Sequence, residues 1–248
     1  MKWRVIPLHV CNAFEAMAID EAVHEAVAEN KSPPTIRFWR WQPSAVSIGY
    51  FQSIEDEVNL EMCKQFGVDV VRRRTGGGAV YHDYDGEITY SIIGSENIFA
   101  KGIRESYREI CGWLINGLKG LDIEASFVPI NDIIVGGKKI SGNAQTRSKG
   151  VLLQHGTVLH NLDVKKMFTL LKVSQEKISD KMIKAVEERV TCLLNFGNFS
   201  FEDVYKSLLS GFTEGKEWEF GNLNEQEKQR VKELSETKYA SHEWNFMR

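Results

Sequence analysis

Cysteine is scarce in this sequence, and Cys11, Cys63, Cys111 and Cys192 form no CxxC pair, so their spacing suggests neither a zinc site nor a disulfide framework. A reducing compartment fits best. A long apolar run is also missing: the first strand-like stretch gives way at once to Asn12, Glu15 and Asp20, too early for a signal peptide, and nothing approaches the length of a membrane span. The expected setting is therefore cytoplasmic, with no membrane partner. There is no excess of positive charge either. A net charge of −3 argues against a broad nucleic-acid-binding surface while allowing a local basic pocket. Neither Gly-x-x-x-x-Gly-Lys-Ser/Thr nor a helix-opening Gly-x-Gly-x-x-Gly occurs, so any bound nucleotide needs another geometry. Internal repeats and low-complexity linkers are lacking too.

What is present is an ordinary globular composition, 42% hydrophobic and 26% charged over 248 residues, enough to bury a real core. Val5 to Val10 reads as a strand, and Asn12 three residues before Glu15 has the arrangement of a helix N-cap with its acidic partner. Ala16, Ile19, Val23, Ala26 and Val27 then share one helical face, and Pro33–Pro34 ends the element. Thr35 to Arg40 and Ala45 to Phe51 read as strands, followed by a helix from Glu55 to Phe66 and a short strand, Val68 to Arg72. Ile88, Tyr90 and Ile92 alternate as a strand, while Ile103, Tyr107, Ile110, Leu114 and Leu118 have helical spacing. Next come Asp132 to Val135, a Gly136–Gly137 hairpin, Lys138 to Gly142, a further strand near Asn143 to Arg147, and Val151 to His160. From Asp163 helical signals dominate, ending in a charged helix over 224–239. The elements do not repeat βαβ units, which favours a mixed α+β fold over a doubly wound sheet.

Two segments carry chemistry. Arg72, Arg73 and Arg74 precede Gly76, Gly77 and Gly78, a dense anion-binding signal in which glycine lets the backbone approach a ligand and aim N–H groups at it. Alternation along a strand sends neighbouring arginines to opposite faces, so one or two of them enter a pocket. Ala79 to His82 return to strand character, clamping the loop on a rigid scaffold. The second segment runs from Asn131–Asp132 through Lys138–Lys139 to Ser141, Gly142, Asn143 and Ala144, where one hairpin lysine faces inward and small neighbours leave room for a ligand. His155 and His160 lie five apart, on opposite strand faces, which argues against a two-histidine metal site. Asp132 could hold Mg²⁺ or cap a turn. No cysteine lies between Cys111 and Cys192, so the block from Asn131 to His155 offers no thiol nucleophile.

The ordered blocks Arg72 to Asp83, Asn131–Asp132, Lys138 to Asn143, Gln154 to Thr157, Glu188 to Thr191 and Glu243 to Phe246 resemble the lipoate–protein ligase A family, relatives of biotin ligases and lipoyl/octanoyl transferases. The resemblance spans almost the whole chain. It implies a biotin/lipoate ligase-like α+β catalytic domain over residues 1–248, with mixed, largely antiparallel sheets and flanking helices. It also implies ATP-dependent activation of lipoate to lipoyl-AMP and transfer to a lysine of a carrier domain, such as an H protein or the E2 of a 2-oxoacid dehydrogenase. ATP with Mg²⁺ would lie against Arg73, Gly77, Gly78, Ala79, Val80, Tyr81, Asn131, Asp132 and Lys139, with Asp132 as the metal ligand. Lipoate would lie against Val46, Arg72, Gly78, His82, Lys139, Gly142, Ala144 and His155, with Val46, Ile48 and Val80 lining an apolar tunnel and Lys139 as the catalytic residue. Many family members continue into an accessory domain after the Trp-Asn-Phe block; this chain stops two residues after Phe246, which implies a separate accessory protein.

The competing enzymatic reading is an octanoyl or lipoyl transferase between carrier proteins. Its cysteine-dependent members resemble this chain around Ala125 to Phe127 but place a cysteine there, where this chain has Ser126, an unactivated hydroxyl. A non-catalytic binder of lipoate or of carrier domains is the third reading.

Overall fold

The computed structural model describes residues 1–172 and 180–248; residues 173–179, within the helix-dominated stretch expected after Asp163, lie outside the described residues. In chain order the elements begin with strand β1 (Trp3–Cys11), helix α1 (Ala13–Ala28), β2 (Thr35–Trp41), β3 (Ala45–Ile48), α2 (Ile54–Glu57), α3 (Leu60–Gln65), β4 (Asp69–Arg72), β5 (Val80–His82) and β6 (Glu87–Ser95). They continue with α4 (Ile103–Lys119), β7 (Ala125–Val128), β8 (Asp132–Val135), β9 (Lys138–Ser148), β10 (Val151–Leu159), α5 (Val164–Leu170), α6 (Asp180–Glu187), α7 (Phe201–Thr213), β11 (Trp218–Phe220), α8 (Glu225–Leu234) and α9 (His242–Asn245).

Eight strands form one sheet in the order β11-β1-β2-β6-β10-β9-β8-β7, and three form a small sheet, β4-β3-β5. Pairing is parallel between β1 and its two neighbours and antiparallel from β2 to β7, the mixed α+β architecture that the element order implies. Helices cover both faces of the large sheet. Ile110, Leu114 and Leu118 of α4 and Val204, Leu208 and Phe212 of α7 pack on Phe38, Ile88, Tyr90 and Ile92. Ala16, Ile19 and Val23 of α1 pack with Trp39, Ile93 and Leu153 on the other side. Strand β6 is thus buried on both faces although its sequence alternates, and its polar face is satisfied by hydrogen bonds of Glu87 with Thr89 and His82 and of Ser91 with Asp20. A third cluster joins Val46 and Ile48 of the small sheet to Ile54, Val58, Cys63 and Leu170.

Local chemistry sets the element ends. Asn12 accepts from the Glu15 amide at 2.9 Å and so satisfies one of the open donors at the start of α1. Asn224 and Glu227 form a reciprocal capping box on α8. Glu227 also meets Arg4 in a buried pair, Nη1 to Oε2 at 2.7 Å, which ties α8 to β1.

Three sequence expectations change. The single helix over 55–66 is two helices, because Val58 turns extended and bridges to Leu171, and Asn59 caps a new start through the Met62 amide. The strands expected over 138–142 and 143–147 are one strand, β9, whose register against β8 slips at Ile140, between the pairs Ile133–Ser141 and Ile134–Lys139, through a bulge instead of a break. Strand β3 ends at Ile48, before Phe51.

Candidate functional site

A cavity of about 360 Å³ opens where the small sheet meets β9 and β10, a size typical of small-molecule sites. Its wall combines the glycine loop Gly76–Gly77–Gly78 with Trp39, Trp41, Val80, Leu159, Met167, Leu171, Val186 and Val190. Its polar groups converge from separate elements: Ser47, Arg73, His82, Glu87, Asn131, Lys139, Asn143 and His155.

The loop is held by close backbone approach. A Cβ on Gly49 would stand 2.0 Å from the Gly77 carbonyl oxygen, and Gly77 itself has φ of 101°, open to glycine and strained for other residues. Arg73 closes the loop from within, donating from Nη2 to the carbonyl oxygens of Gly76 at 2.9 Å and Gly78 at 2.8 Å. From Nη1 it donates to the Ser47 carbonyl at 3.0 Å and the Ser47 hydroxyl at 3.2 Å, and from Nε to Thr75 Oγ1 at 3.2 Å. All these acceptors are neutral. Burial lowers the Arg73 pKa to about 10, which leaves a cation at neutral pH against the cavity wall.

Lys139 is the other cation. Its Nζ lies 2.7 Å from Asp132 Oδ1, with the side chains 41% and 35% exposed, so the pair is open to exchange with a ligand. Lys138 points the other way and donates from Nζ to the Glu187 carbonyl at 2.7 Å. The Lys139 amide donates to the Arg189 carbonyl at 2.7 Å, and the Thr191 amide returns a bond to the Lys139 carbonyl at 2.8 Å. The block Glu188 to Thr191 is therefore a strap along β9 that brings Val186 and Val190 into the cavity wall.

Two histidines are oriented by buried acids. His155 Nδ1 lies 3.2 Å from Asp20 Oδ2, and its Nε2 lies 2.7 Å from Thr75 Oγ1. Burial pushes the His155 pKa down, leaving the ring neutral. Burial alone would raise Asp20, but hydrogen bonds and charge from His155, Arg37 and Ser91 outweigh it and hold the carboxyl below its usual range. His82 Nδ1 lies 2.7 Å from Glu87 Oε1, its Nε2 lies 2.7 Å from Ser47 Oγ, and the ring stacks on Trp41 at 4.1 Å.

Of the residues named from sequence, Arg73, Gly77, Gly78, Ala79, Val80, Tyr81, His82, Asn131, Lys139, Gly142, Ala144 and His155 line this one cavity, and Asp132 stands behind Lys139. Arg72 does not. Its guanidinium is buried on the far side of β4 and donates to the carbonyls of Gly49, Tyr50, Gln52, Trp244 and Asn245. The Asn245 side chain accepts the Arg72 amide at 2.7 Å, so the closing Trp-Asn-Phe block staples the strand that leads into the glycine loop. Val46 and Ile48 also leave the ligand-facing set, since they point into the apolar cluster of the small sheet and expose Ser47 of the same strand to the cavity. His160 turns to the Phe199 carbonyl at 2.7 Å, as opposite-face placement requires. Among the described residues no group of three or more His, Cys, Asp or Glu side chains could hold a metal ion. All four cysteines are buried and none lines the cavity; burial drives the Cys11 and Cys63 thiols to about 11 and Cys111 to about 12. Sequence reasoning missed Ser47, Glu87 and Asp20, which sit amid apolar strand and helix residues without a motif of their own.

The profile of the Lipoyl protein ligase A/B catalytic domain matches residues 12–213. The chain belongs to this family. It is 36% identical to octanoyltransferase LipM of Geobacillus kaustophilus, over 99% of this chain and 98% of that protein, and 37% identical to octanoyltransferase LipM of Clostridioides difficile, over 100% and 99%. Among solved structures it superposes with TM-score 0.88 and 33% identity on a bipartite lipoate protein ligase of Thermoplasma acidophilum, over 99% of this chain and 96% of that one. A lipoate-protein ligase A bound with ATP gives a TM-score of 0.85 at 30% identity, with 99% of both chains covered. These likenesses make the chain an enzyme of the lipoate ligase and transferase family with that family's α+β catalytic fold. They also correct the expected activity. Full-length relatives at 36–37% identity are octanoyltransferases, so the expectation of an ATP-dependent, lipoyl-AMP-forming ligase is overturned. Among the described residues no helix is long and apolar enough to cross a membrane.

Proposed function

We propose that this protein is an acyltransferase that moves an octanoyl-type acyl group from a carrier-bound thioester to a lysine of a lipoyl carrier domain. The observation that carries the reading is a single apolar cavity in which Lys139, the Arg73-bearing glycine loop and the oriented histidines converge, in a chain whose full-length relatives are octanoyltransferases. The acyl chain lies among Trp39, Trp41, Met167, Leu171 and Val190, where its burial supplies affinity. Its carbonyl reaches Lys139, which leaves Asp132 to stabilise the oxygen as negative charge develops. The carbonyl arrives already activated as a thioester, and the acyl group ends on the incoming lysine as an amide. No nucleotide enters this chemistry, which gives an accessory protein for adenylation no task in it.

The test is to incubate the purified chain with an octanoyl-loaded acyl carrier and an unmodified lipoyl domain, omit ATP, and weigh the domain by mass spectrometry. The expected product is a domain carrying one octanoyl group. Modification that needs both ATP and free octanoate or lipoate would overturn the reading. Lys139→Ala should lower the rate by about 100-fold or more, the usual cost of removing a donor to a developing oxyanion.

A further inference from the structure

We infer that Ser47, activated by His82 and Glu87, is the nucleophile of this site and carries the acyl group as an ester. The inference rests on the acyltransfer reading and supplies the covalent step that no cysteine can provide, because none of the four thiols lines the cavity.

The arrangement has the parts of a hydroxyl–imidazole–carboxylate relay, which is recognised by geometry and not by order in the chain. Ser47 Oγ lies 2.7 Å from His82 Nε2, and His82 Nδ1 lies 2.7 Å from Glu87 Oε1. The proton positions follow from the neighbours. The Glu87 carboxylate can only accept, so the His82 Nδ1 proton points at it and the Ser47 proton points at Nε2, while Arg73 Nη1 donates to a lone pair of Ser47 Oγ at 3.2 Å. That makes Nε2 the acceptor and leaves the Nδ1 proton for Glu87, the tautomer a general base requires. Glu87 is fixed in turn by the Thr89 hydroxyl at 2.7 Å, which itself accepts from Trp41 Nε1 at 2.7 Å. The second lone pair of Ser47 Oγ has no partner among the described residues, and the side chain faces the cavity although Ser47 is only 1% exposed. The Arg73 cation against Oγ favours the alkoxide. The parallel series Asp20–His155–Thr75 lacks this access, because Thr75 is fully buried and does not line the cavity.

In the step, Ser47 Oγ attacks the thioester carbonyl carbon and its proton passes to His82 Nε2. The carbon–sulfur bond breaks, and His82 returns the proton to the departing thiolate. The neutral amine of the carrier lysine then attacks the seryl ester and gives a proton to His82. The carbon–oxygen bond breaks, Ser47 regains its proton, and an amide has formed.

The experiment uses p-nitrophenyl octanoate as an activated ester, with acid quenching and peptide mass spectrometry, beside the carrier-transfer assay. The wild-type chain should release a burst of nitrophenolate stoichiometric with enzyme and carry one octanoyl group on the peptide containing Ser47. Ser47→Ala should lose both, Ser47→Cys should regain the adduct as a thioester, and His82→Gln should slow the burst by about 100-fold, with folding verified by thermal melting. A burst of full amplitude in Ser47→Ala, or an acid-quenched wild-type chain without octanoyl on Ser47, overturns the inference even if the carrier domain is octanoylated, in which case the transferase reading survives. An acylated Ser47 with no transfer to any carrier upholds the nucleophile and removes that reading.

Discussion

Lys139 is paired with an acid that the proposed acyl donor would displace. Because the pair with Asp132 is partly exposed, it is worth little as a stabilising contact, and its weight falls on function. Asp132→Asn should leave thermal stability within about 0.5 kcal/mol of wild type, the usual span for substitutions outside the core. The same change frees Lys139 from its partner, so its expected effect is on KM for the acyl donor, measured by initial rates. Arg72 has the opposite character. It is buried and bridges five carbonyls, so Arg72→Met leaves acceptors unsatisfied and should cost about 3 kcal/mol, with the closing segment loosened before the core, as hydrogen exchange over 239–246 would report. The buried histidines set the acid response. Burial lowers His9 and His24 from 6.5 to about 4, and it lowers His155 as well. The unfolded chain therefore takes up protons below 6.5 that the folded chain refuses until about 4. Stability is full above the unfolded value and drains away as pH falls through that window. Thermal melts between pH 7 and pH 4 should show a falling midpoint, with a shallower slope in His24→Gln.

At the scale of elements, α4 and α7 cross in close backbone contact. A Cβ on Gly211 would come within 2.2 Å of the Gly117 amide nitrogen and 2.5 Å of the Trp113 carbonyl oxygen, both backbone atoms that cannot swing aside. Gly211→Ala should cost about 3 kcal/mol through forced separation of the helices, visible as a lower melting temperature, while acyl transfer per folded molecule stays the same because neither helix contributes a residue to the cavity lining. Elements with a clear period were legible before the structure. The spacing of α4, the alternation of β6 and the glycine hairpin before β9 needed only local rules. Strand β11, three residues long and paired in parallel with β1, is too short to show a period, and β7 owes its strand form to pairing with β8. Alternation also separates the two faces of a strand without saying which one meets a ligand. In β3 the apolar face of Val46 and Ile48 went to a core cluster, and the cavity received the small polar residue between them.

Taken as a molecule, the chain brings residues from the arginine–glycine loop, the lysine hairpin and β10 to one cavity, and the two motif blocks without obvious chemistry prove to be a strap and a staple that hold it. The convergence was legible because charged residues beside glycines announce an anion or oxyanion site. The activation chemistry was not. The proposed transferase and the expected ligase would both polarise an acyl carbonyl and present it to a lysine, so a sequence suited to those tasks leaves open whether the carbonyl arrives already activated. The distinction lies in the nucleotide. The most direct measurement is the initial rate of lipoyl-domain octanoylation from an octanoyl-loaded acyl carrier, with apyrase added to destroy residual ATP and again with ATP in excess. Equal rates in the two arms are predicted; a rate that vanishes with apyrase and returns with ATP and free acid would contradict the account.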